Sequence, residues 1–342
     1  MKRGSRYLIC WAPLVSILCL LGQAALQQKY ASIGASSASE EVRYEVRWDT
    51  QNSGVTTDLS SVHFISPSEG WAAGKANTII KTSDGGKNWK RLLESQDRPD
   101  FEEVRFINSN QGWARSSNIL LHTADGGESW QPARALPSGD GFGGGCLQGP
   151  VRFQMCTHNL GAGVFHTGDG QSWEKLGRAP ARNDYTTLFV FDPQHAWVAG
   201  DYGIFALTQD GGTTWKDIKL QSADLIKIQF ISPTKGWLLA RRGHNGGPLT
   251  SSDGGNTWGD QYAGIPTSQF QYDIEFLNEK DGFLLSEHIM HRTSDGGKVW
   301  KTIGKFQADP LGLSFPKLDE GWVVGKKGFI SHYHLVPVAP KK

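Results

Sequence analysis

Cysteine, methionine and surplus charge are all scarce in this chain. Of 342 residues four are Cys and three are Met. Cys10 and Cys19 fall in an apolar N-terminal stretch, which leaves Cys146 and Cys156 as the only pair beyond it. So few thiols exclude a small disulfide-knit domain and a cysteine-rich metal module. Lys and Arg number 35 against 34 Asp and Glu, a formal net charge of +1. Nothing global therefore draws the chain to nucleic acid or to an anionic membrane surface, and a charged partner must be sought on one face. What is abundant is glycine and tryptophan: 42 Gly and 13 Trp, with 38% hydrophobic residues. That is the composition of a globular, turn-rich chain with a large core.

The single long apolar run, Tyr7 to Leu21, follows Lys2, Arg3 and Arg6 and precedes Gly22, Gln23, Ala24 and Ala25. Basic, apolar and small residues in that order mark residues 1–25 as an export signal, with an uncleaved anchor as the alternative. Residues 26–40, including Ser32 to Ser39, read as a flexible leader. Leu18 stands before Cys19 where a lipoprotein signal wants a small residue, which argues against lipidation. Export permits a disulfide, and Cys146 and Cys156 are close enough in sequence to bridge, for perhaps ~2–3 kcal/mol. With His158 and His166 they match no standard zinc spacing, so no metal and no cofactor is expected.

One eight-residue phrase recurs: TSDGGKNW from Thr82, TADGGESW from Thr123, TQDGGTTW from Thr208, SSDGGNTW from Ser251 and TSDGGKVW from Thr293, with a shortened TGDGQSW from Thr167. Its aspartates, Asp84, Asp125, Asp169, Asp210, Asp253 and Asp295, stand 41, 44, 41, 43 and 42 residues apart. That period is the length of one four-stranded propeller blade. Each phrase is preceded by an alternating apolar strand that ends in a Gly-Trp step, as in Val62, Phe64, Gly70 and Trp71. The step returns near Trp113, Trp197 (after Phe191), Trp237, Phe283 and Trp322, and is eroded between Trp130 and Trp173. Period-two alternation between Gly, Asn and Asp turns predicts antiparallel strands throughout.

The aspartate phrase then reads as a hairpin connection: the carboxylate accepts backbone N–H groups and the glycines permit positive φ. Its Trp is expected to fill the wedge between blades. The last unit lacks the phrase and is one strand short, and Val42 to Thr50 supplies a strand to complete it. The expectation is an all-β, seven-bladed β-propeller of four-stranded antiparallel blades over residues 41–336. It is closed by an N-terminal strand that completes the last blade, and residues 337–342 form a tail.

The phrase Ser/Thr-x-Asp-x-Gly-x-x-Trp is the Asp-box, or bacterial neuraminidase repeat. Together with the Phe-Ile and Gly-Trp phrases, the single-propeller length and the export signal, it makes the chain resemble the photosystem II stability and assembly factors of plastids and cyanobacteria. The resemblance covers nearly all of the mature chain and implies a seven-bladed, non-catalytic binding platform facing the thylakoid lumen. It implies an assembling membrane complex as the partner. Related propellers also occur in bacteria without oxygenic photosynthesis. The compartment is thus periplasmic, lumenal or extracellular, with membrane contact only by proximity or through an uncleaved anchor.

In such a ring the box turns lie on one face. The other face carries the loops that hold Lys75, Arg115, Arg241, Arg242, His244, His288, Lys326 and Lys327, against Asp201 and Glu287. Lys75, Arg115, Arg241, Arg242, Lys326 and Lys327 are the candidate binding residues, a cationic surface suited to an acidic protein segment. The alternative is a glycan-binding protein or a sialidase-like hydrolase, since sialidases also combine propellers with Asp-boxes. Sialidase chemistry needs an arginine clamp and an early Arg-Ile-Pro context, and that tripeptide is absent. Asp273 and Glu275 alternate with Tyr272, Ile274 and Phe276 and read as strand residues. His332 and His334 share a strand face and read as a solvated pair.

Overall fold

The structure, a computed structural model, describes residues 43–338 except 94–99, 117–118, 133–152, 157–163, 168–173, 177–184, 221–223, 243–244, 261–264 and 266–270. The unit Tyr44–Val336 is built of antiparallel sheets alone. Six are four-stranded blades. The first blade runs Leu59–Phe64, Gly70–Gly74, Thr78–Thr82 and Lys90–Arg91 from the axis outward, and the second starts at Glu103–Phe106. The third, fourth and fifth start at Tyr185–Val190, Asp224–Phe230 and Gln271–Phe276. The closing blade orders Pro310–Lys317, Glu320–Gly325, Phe329–Val338 and, outermost, Arg43–Asn52. The N-terminal strand therefore completes the last blade.

The expectation of seven four-stranded blades is corrected to six. The unit between Trp130 and Trp173 forms a three-stranded sheet, Phe153–Cys156, Val164–Thr167 and Glu174–Leu176, whose first strand lies beside Tyr185–Val190. This is the unit whose Gly-Trp phrase is eroded and whose box is one residue short. The signal 1–25, the leader 26–40, Asp169 and Cys146 lie outside the described residues, and of Cys156 only the backbone is described. No helix among the described residues is long and apolar enough to cross a membrane.

The blades hold together through one aromatic device repeated at five boundaries among the described residues. The Gly-Trp tryptophan of one blade stacks on the inner-strand phenylalanine of the next: Trp71 on Phe106, Trp197 on Phe230 and Trp237 on Phe276, all with centroids 3.6 Å apart. Phe283 on Phe315 and Trp322 on Phe64 repeat the stack at 3.6 Å. The box tryptophan meets the same phenyl ring edge-on, as Trp130 does Phe106 at 6.0 Å and Trp300 does Phe276 at 5.7 Å. Such pairs contribute roughly 0.5–1.5 kcal/mol each beyond area burial. The wedge is mainly the Gly-Trp tryptophan: Trp71, Trp197, Trp237 and Trp322 are at most 1% exposed. The box Trp89, Trp215 and Trp258 are only half-buried and close the outer edge.

The glycine of the step has a specific cause. A Cβ at Gly236 would sit 2.5 Å from the Phe230 ring, and those at Gly70, Gly112, Gly282 and Gly321 would meet Phe64, Phe106, Phe276 and Phe315 at 2.3–2.6 Å. Each phenyl ring lies flat over its own blade's glycine. The third blade has Val190 paired with Ala196 at this place. Where the ring is missing, a methyl group is tolerated. Phe191, expected from sequence to be this blade's core aromatic, is instead one residue past it and 39% exposed.

Inner strands are sheet edges, and unpaired edge N–H groups invite aggregation. Here they donate to side chains of the preceding blade. Phe64 N–H reaches Ser314 Oγ at 3.0 Å, Val104 N–H reaches Ser61 Oγ at 3.2 Å, and Phe106 N–H reaches His63 Nδ1 at 3.2 Å. Phe276 N–H reaches Gln229 Oε1 at 2.7 Å, Leu313 N–H reaches Asp273 Oδ2 at 3.2 Å, and Phe315 N–H reaches Glu275 Oε2 at 3.0 Å.

Candidate functional site

The Asp-boxes satisfy themselves. In the box from Thr208, the Thr208 hydroxyl donates to Asp210 Oδ1 at 2.8 Å and accepts Gly212 N–H at 2.9 Å. Thr214 N–H and Oγ1 donate to the same carboxylate at 2.9 and 2.5 Å. Those Thr214 bonds, then the one from Thr208, hold the Asp210 carboxyl down at about 2. Asp84, Asp125, Asp253 and Asp295 repeat the pattern and are also lowered. These carboxylates are committed to turns, and Asp84 also borders a cleft lined by Asp49, Gln51, Glu320 and His332.

On the opposite face, the cations singled out in the sequence have resident partners. Lys75 pairs with Asp58 at 3.1 Å, Arg241 with Asp224 at 3.2 Å and Lys326 with Asp309 at 2.9 Å. In each case the acid stands at the start of its inner strand and the base at the end of the second strand, 17 residues later. A sequence search for acid-base pairs at that spacing, within the longer period, would have found them. Hydrogen bonding from Lys327 N–H, then Lys75, lowers Asp58. Lys326 likewise lowers Asp309 and is itself raised by it. Lys327 is exposed, with a left-handed φ of 56°. Of Arg242 only the backbone is described.

Arg115 differs from the others. Its side chain is 10% exposed and clamped by Glu102 at 2.6 Å and Glu103 at 3.5 Å. A buried, doubly paired guanidinium holds its own blade's edge together, so reversing its charge is a test of stability rather than of binding. What the sequence presented as a cationic surface is, among the described residues, a series of ion pairs with Lys327 beside them.

Along the axis, His63, Arg105, Lys227, Gln229, Glu275 and Ser314 line a cavity of about 310 Å³ with Phe189, Phe230 and Ile274. Sequence reading missed these except Glu275. They are the polar members of alternating inner strands, a signal present in the pattern but unread because it also describes any half-buried strand. Asp273 is bound by Lys227 Nζ and Leu313 N–H, and Glu275 by Phe315 N–H. Both carboxylates tie blades together. Burial above all pushes Glu275 up to about 7.

His332 and His334 are not simply solvated. His332 stacks on Trp322 at 4.5 Å and approaches Glu320 at 3.3 Å, while His334 lies 3.6 Å from Asp49. No group of three or more metal-binding side chains occurs among the described residues.

A family model described as "Photosynthesis system II assembly factor YCF48" matches residues 40–176. The chain is similar to photosystem II assembly factors. The photosystem II assembly lipoprotein Ycf48 of Synechococcus sp. (strain CC9902) is 28% identical over 289 residues, which cover 78% of this chain and 82% of that protein. The photosystem II stability/assembly factor HCF136 of Arabidopsis thaliana is 26% identical over 308 residues, covering 78% and 73%. A solved structure of YCF48 bound to D1 peptide superposes with a TM-score of 0.64 at 20% identity, over 89% of this chain and 99% of that one. Propellers of a GH74 xyloglucanase and of virginiamycin B lyase also share the fold at 12 and 13% identity, so fold likeness alone does not separate assembly factors of the Ycf48 type from enzymes.

Proposed function

We propose that the chain is an exported, non-catalytic scaffold that holds a protein segment of an assembling membrane complex of the photosystem II type. The face opposite the Asp-boxes takes an acidic segment of that partner, through Lys75, Arg241, Arg242, Lys326 and Lys327, while Arg115 supports the loop from below. In this reading the three-stranded sheet is a seventh, incomplete blade, in keeping with the box period of 41 to 44 residues.

The observation that carries the proposal is the state of the ion pairs on that face. The Lys75, Arg241 and Lys326 side chains are 58, 46 and 50% exposed. Exposed pairs contribute little to the fold and exchange partners readily, so an incoming carboxylate replaces the resident one at small cost. The kinship with assembly factors supplies the class of partner, and D1 is the natural probe because a YCF48 structure holds a D1 peptide.

The test is fluorescence anisotropy with a labelled D1 peptide against the wild type and a Lys75→Gln, Arg241→Gln, Lys326→Gln triple variant. Affinity should fall roughly tenfold or more and regain little at low salt, with the melting temperature unchanged. Equal affinity of the two proteins would remove this face from the proposal.

A further inference from the structure

The axial cavity holds a cation with no hydrogen bond or ion pair to any described residue. Six polar side chains line it, and the hydrogen bonds of most are accounted for. Gln229 is tied at both ends to the Phe276 backbone, at 2.8 Å to its carbonyl and 2.7 Å from its N–H. Lys227 is paired with Asp273, and Glu275 accepts Phe315 N–H at 3.0 Å. His63 accepts Phe106 N–H at Nδ1, so the neutral ring carries its proton on Nε2. Ser314 accepts Phe64 N–H and keeps its hydroxyl hydrogen to give. Arg105, from the second blade, makes no hydrogen bond or ion pair with any described residue, although it sits within electrostatic reach of His63 and Glu275.

A guanidinium presents its N–H donors in a planar fork that matches a carboxylate, and phenyl walls strengthen that attraction by excluding water. The charges also limit what fits. Lys227 and Asp273 cancel, and Arg105 faces a Glu275 that shares its proton near neutrality. About half a positive charge is left over near pH 7 and one when Glu275 is protonated, which favours a singly charged anion over a doubly charged one. Phe189, Phe230 and Ile274 offer a surface for carbon, and about 310 Å³ is the lower end of small-ligand cavities.

We propose that the axial cavity is a binding site for a small organic carboxylate, held by the Arg105 guanidinium with the His63 Nε2–H and the Ser314 hydroxyl as further donors. The site is separate from the protein-binding face and stands or falls independently of it. A proton accompanies the ligand. The charged and titratable groups facing Glu275 are Lys227, Asp273, Arg105 and His63, and an added anion among them disfavours the ionised Glu275. Binding therefore takes up a proton near pH 7 and weakens as pH rises through that value.

Isothermal titration calorimetry with acetate, butyrate and monoprotonated succinate, each in two buffers of different ionisation heat, tests this. Wild type should bind at least one of these acids saturably, with fractional proton uptake that Glu275→Gln abolishes. Arg105→Gln should weaken binding tenfold or more, and Arg105→Lys, which keeps the charge but loses the fork, should also weaken it, by less. Because Arg105 has no hydrogen bond or ion pair with a described residue, both variants should melt with the wild type. Absence of saturable binding of every acid, equal affinity in Arg105→Gln, equal binding of phosphate, or binding of a peptide C-terminus and of no free acid would each overturn the proposal.

Discussion

Gly236 and Phe230 offer a direct trial of how the blades are joined. A methyl group at position 236 lands 2.5 Å from the Phe230 ring, about an ångström inside ordinary contact. The ring has nowhere to go: Trp197 is stacked on its other side at 3.6 Å and Trp258 meets its edge at 5.9 Å. Overpacking of this kind costs about 1–3 kcal/mol, so Gly236→Ala should lower the urea midpoint visibly. Phe230→Val should cost about 2–3 kcal/mol by leaving a void against Trp197. The double variant recreates the Val190 and Ala196 arrangement of the third blade, because the methyl group then occupies space the ring has left. Its loss should be smaller than the sum of the singles by about 1 kcal/mol or more, a coupling read from a double-mutant cycle followed by tryptophan fluorescence. A Gly236→Ala protein within about 0.5 kcal/mol of wild type, or strictly additive losses, would refute the ring-over-glycine account.

Two further outcomes follow from the ionisable groups. Asp210 is held at about 2 in the folded protein, below the usual carboxyl value of 3.8, so its stabilisation is present above the unfolded value and lost as pH falls through the folded one. The urea midpoint should decline between roughly pH 4 and pH 2, and Asp210→Ala should lower it at pH 7 while flattening that decline; an unchanged acid limb would count against the role of the boxes. Arg115→Glu should destabilise by roughly 2–4 kcal/mol, discounted from the range for buried pairs because the Glu102 side chain is 49% exposed. Arg241→Glu on the exposed pair should move the thermal melt little; equal losses in both would show that Arg115 is not the structural member.

Repetition is what made the fold readable. The Asp-box announces a hairpin because Asp, Gly-Gly and Trp are each demanded by that turn, and five complete copies averaged out local ambiguity. The strand that completes the last blade was legible from a missing copy. The degenerate unit kept its period through Asp169, and only its strand count, three and not four, was missed. The face opposite the boxes was located, but its chemistry was half seen: cations stand out in turns, whereas Asp58, Asp224 and Asp309 stand at the start of inner strands and pass for ordinary polar flanks. The axial residues were hidden for a different reason. His63, Arg105, Lys227 and Ser314 come from four strands in four sheets, and only the ring geometry makes them neighbours.

The first blade's box shows how the circle is fastened. At three other boundaries a Gly-Trp indole donates to the box carbonyl of the following blade: Trp71 to Gly126 at 3.0 Å, Trp197 to Gly254 at 2.7 Å, Trp237 to Gly296 at 3.0 Å. At the seam the equivalent Gly85 carbonyl is taken at 2.8 Å by Gln51 from the N-terminal strand, and the Trp322 indole is left without an acceptor. The opening strand thus occupies a socket formed by the next blade while pairing with Phe329–Val338, close to the other end of the ring. The strand-pairing half of that clasp needs Phe329–Val338, whereas the Gln51 to Gly85 bond joins segments 34 residues apart. A chain halted before residue 329 would lack the sheet partner of Arg43–Asn52 and keep only its tie to the first blade.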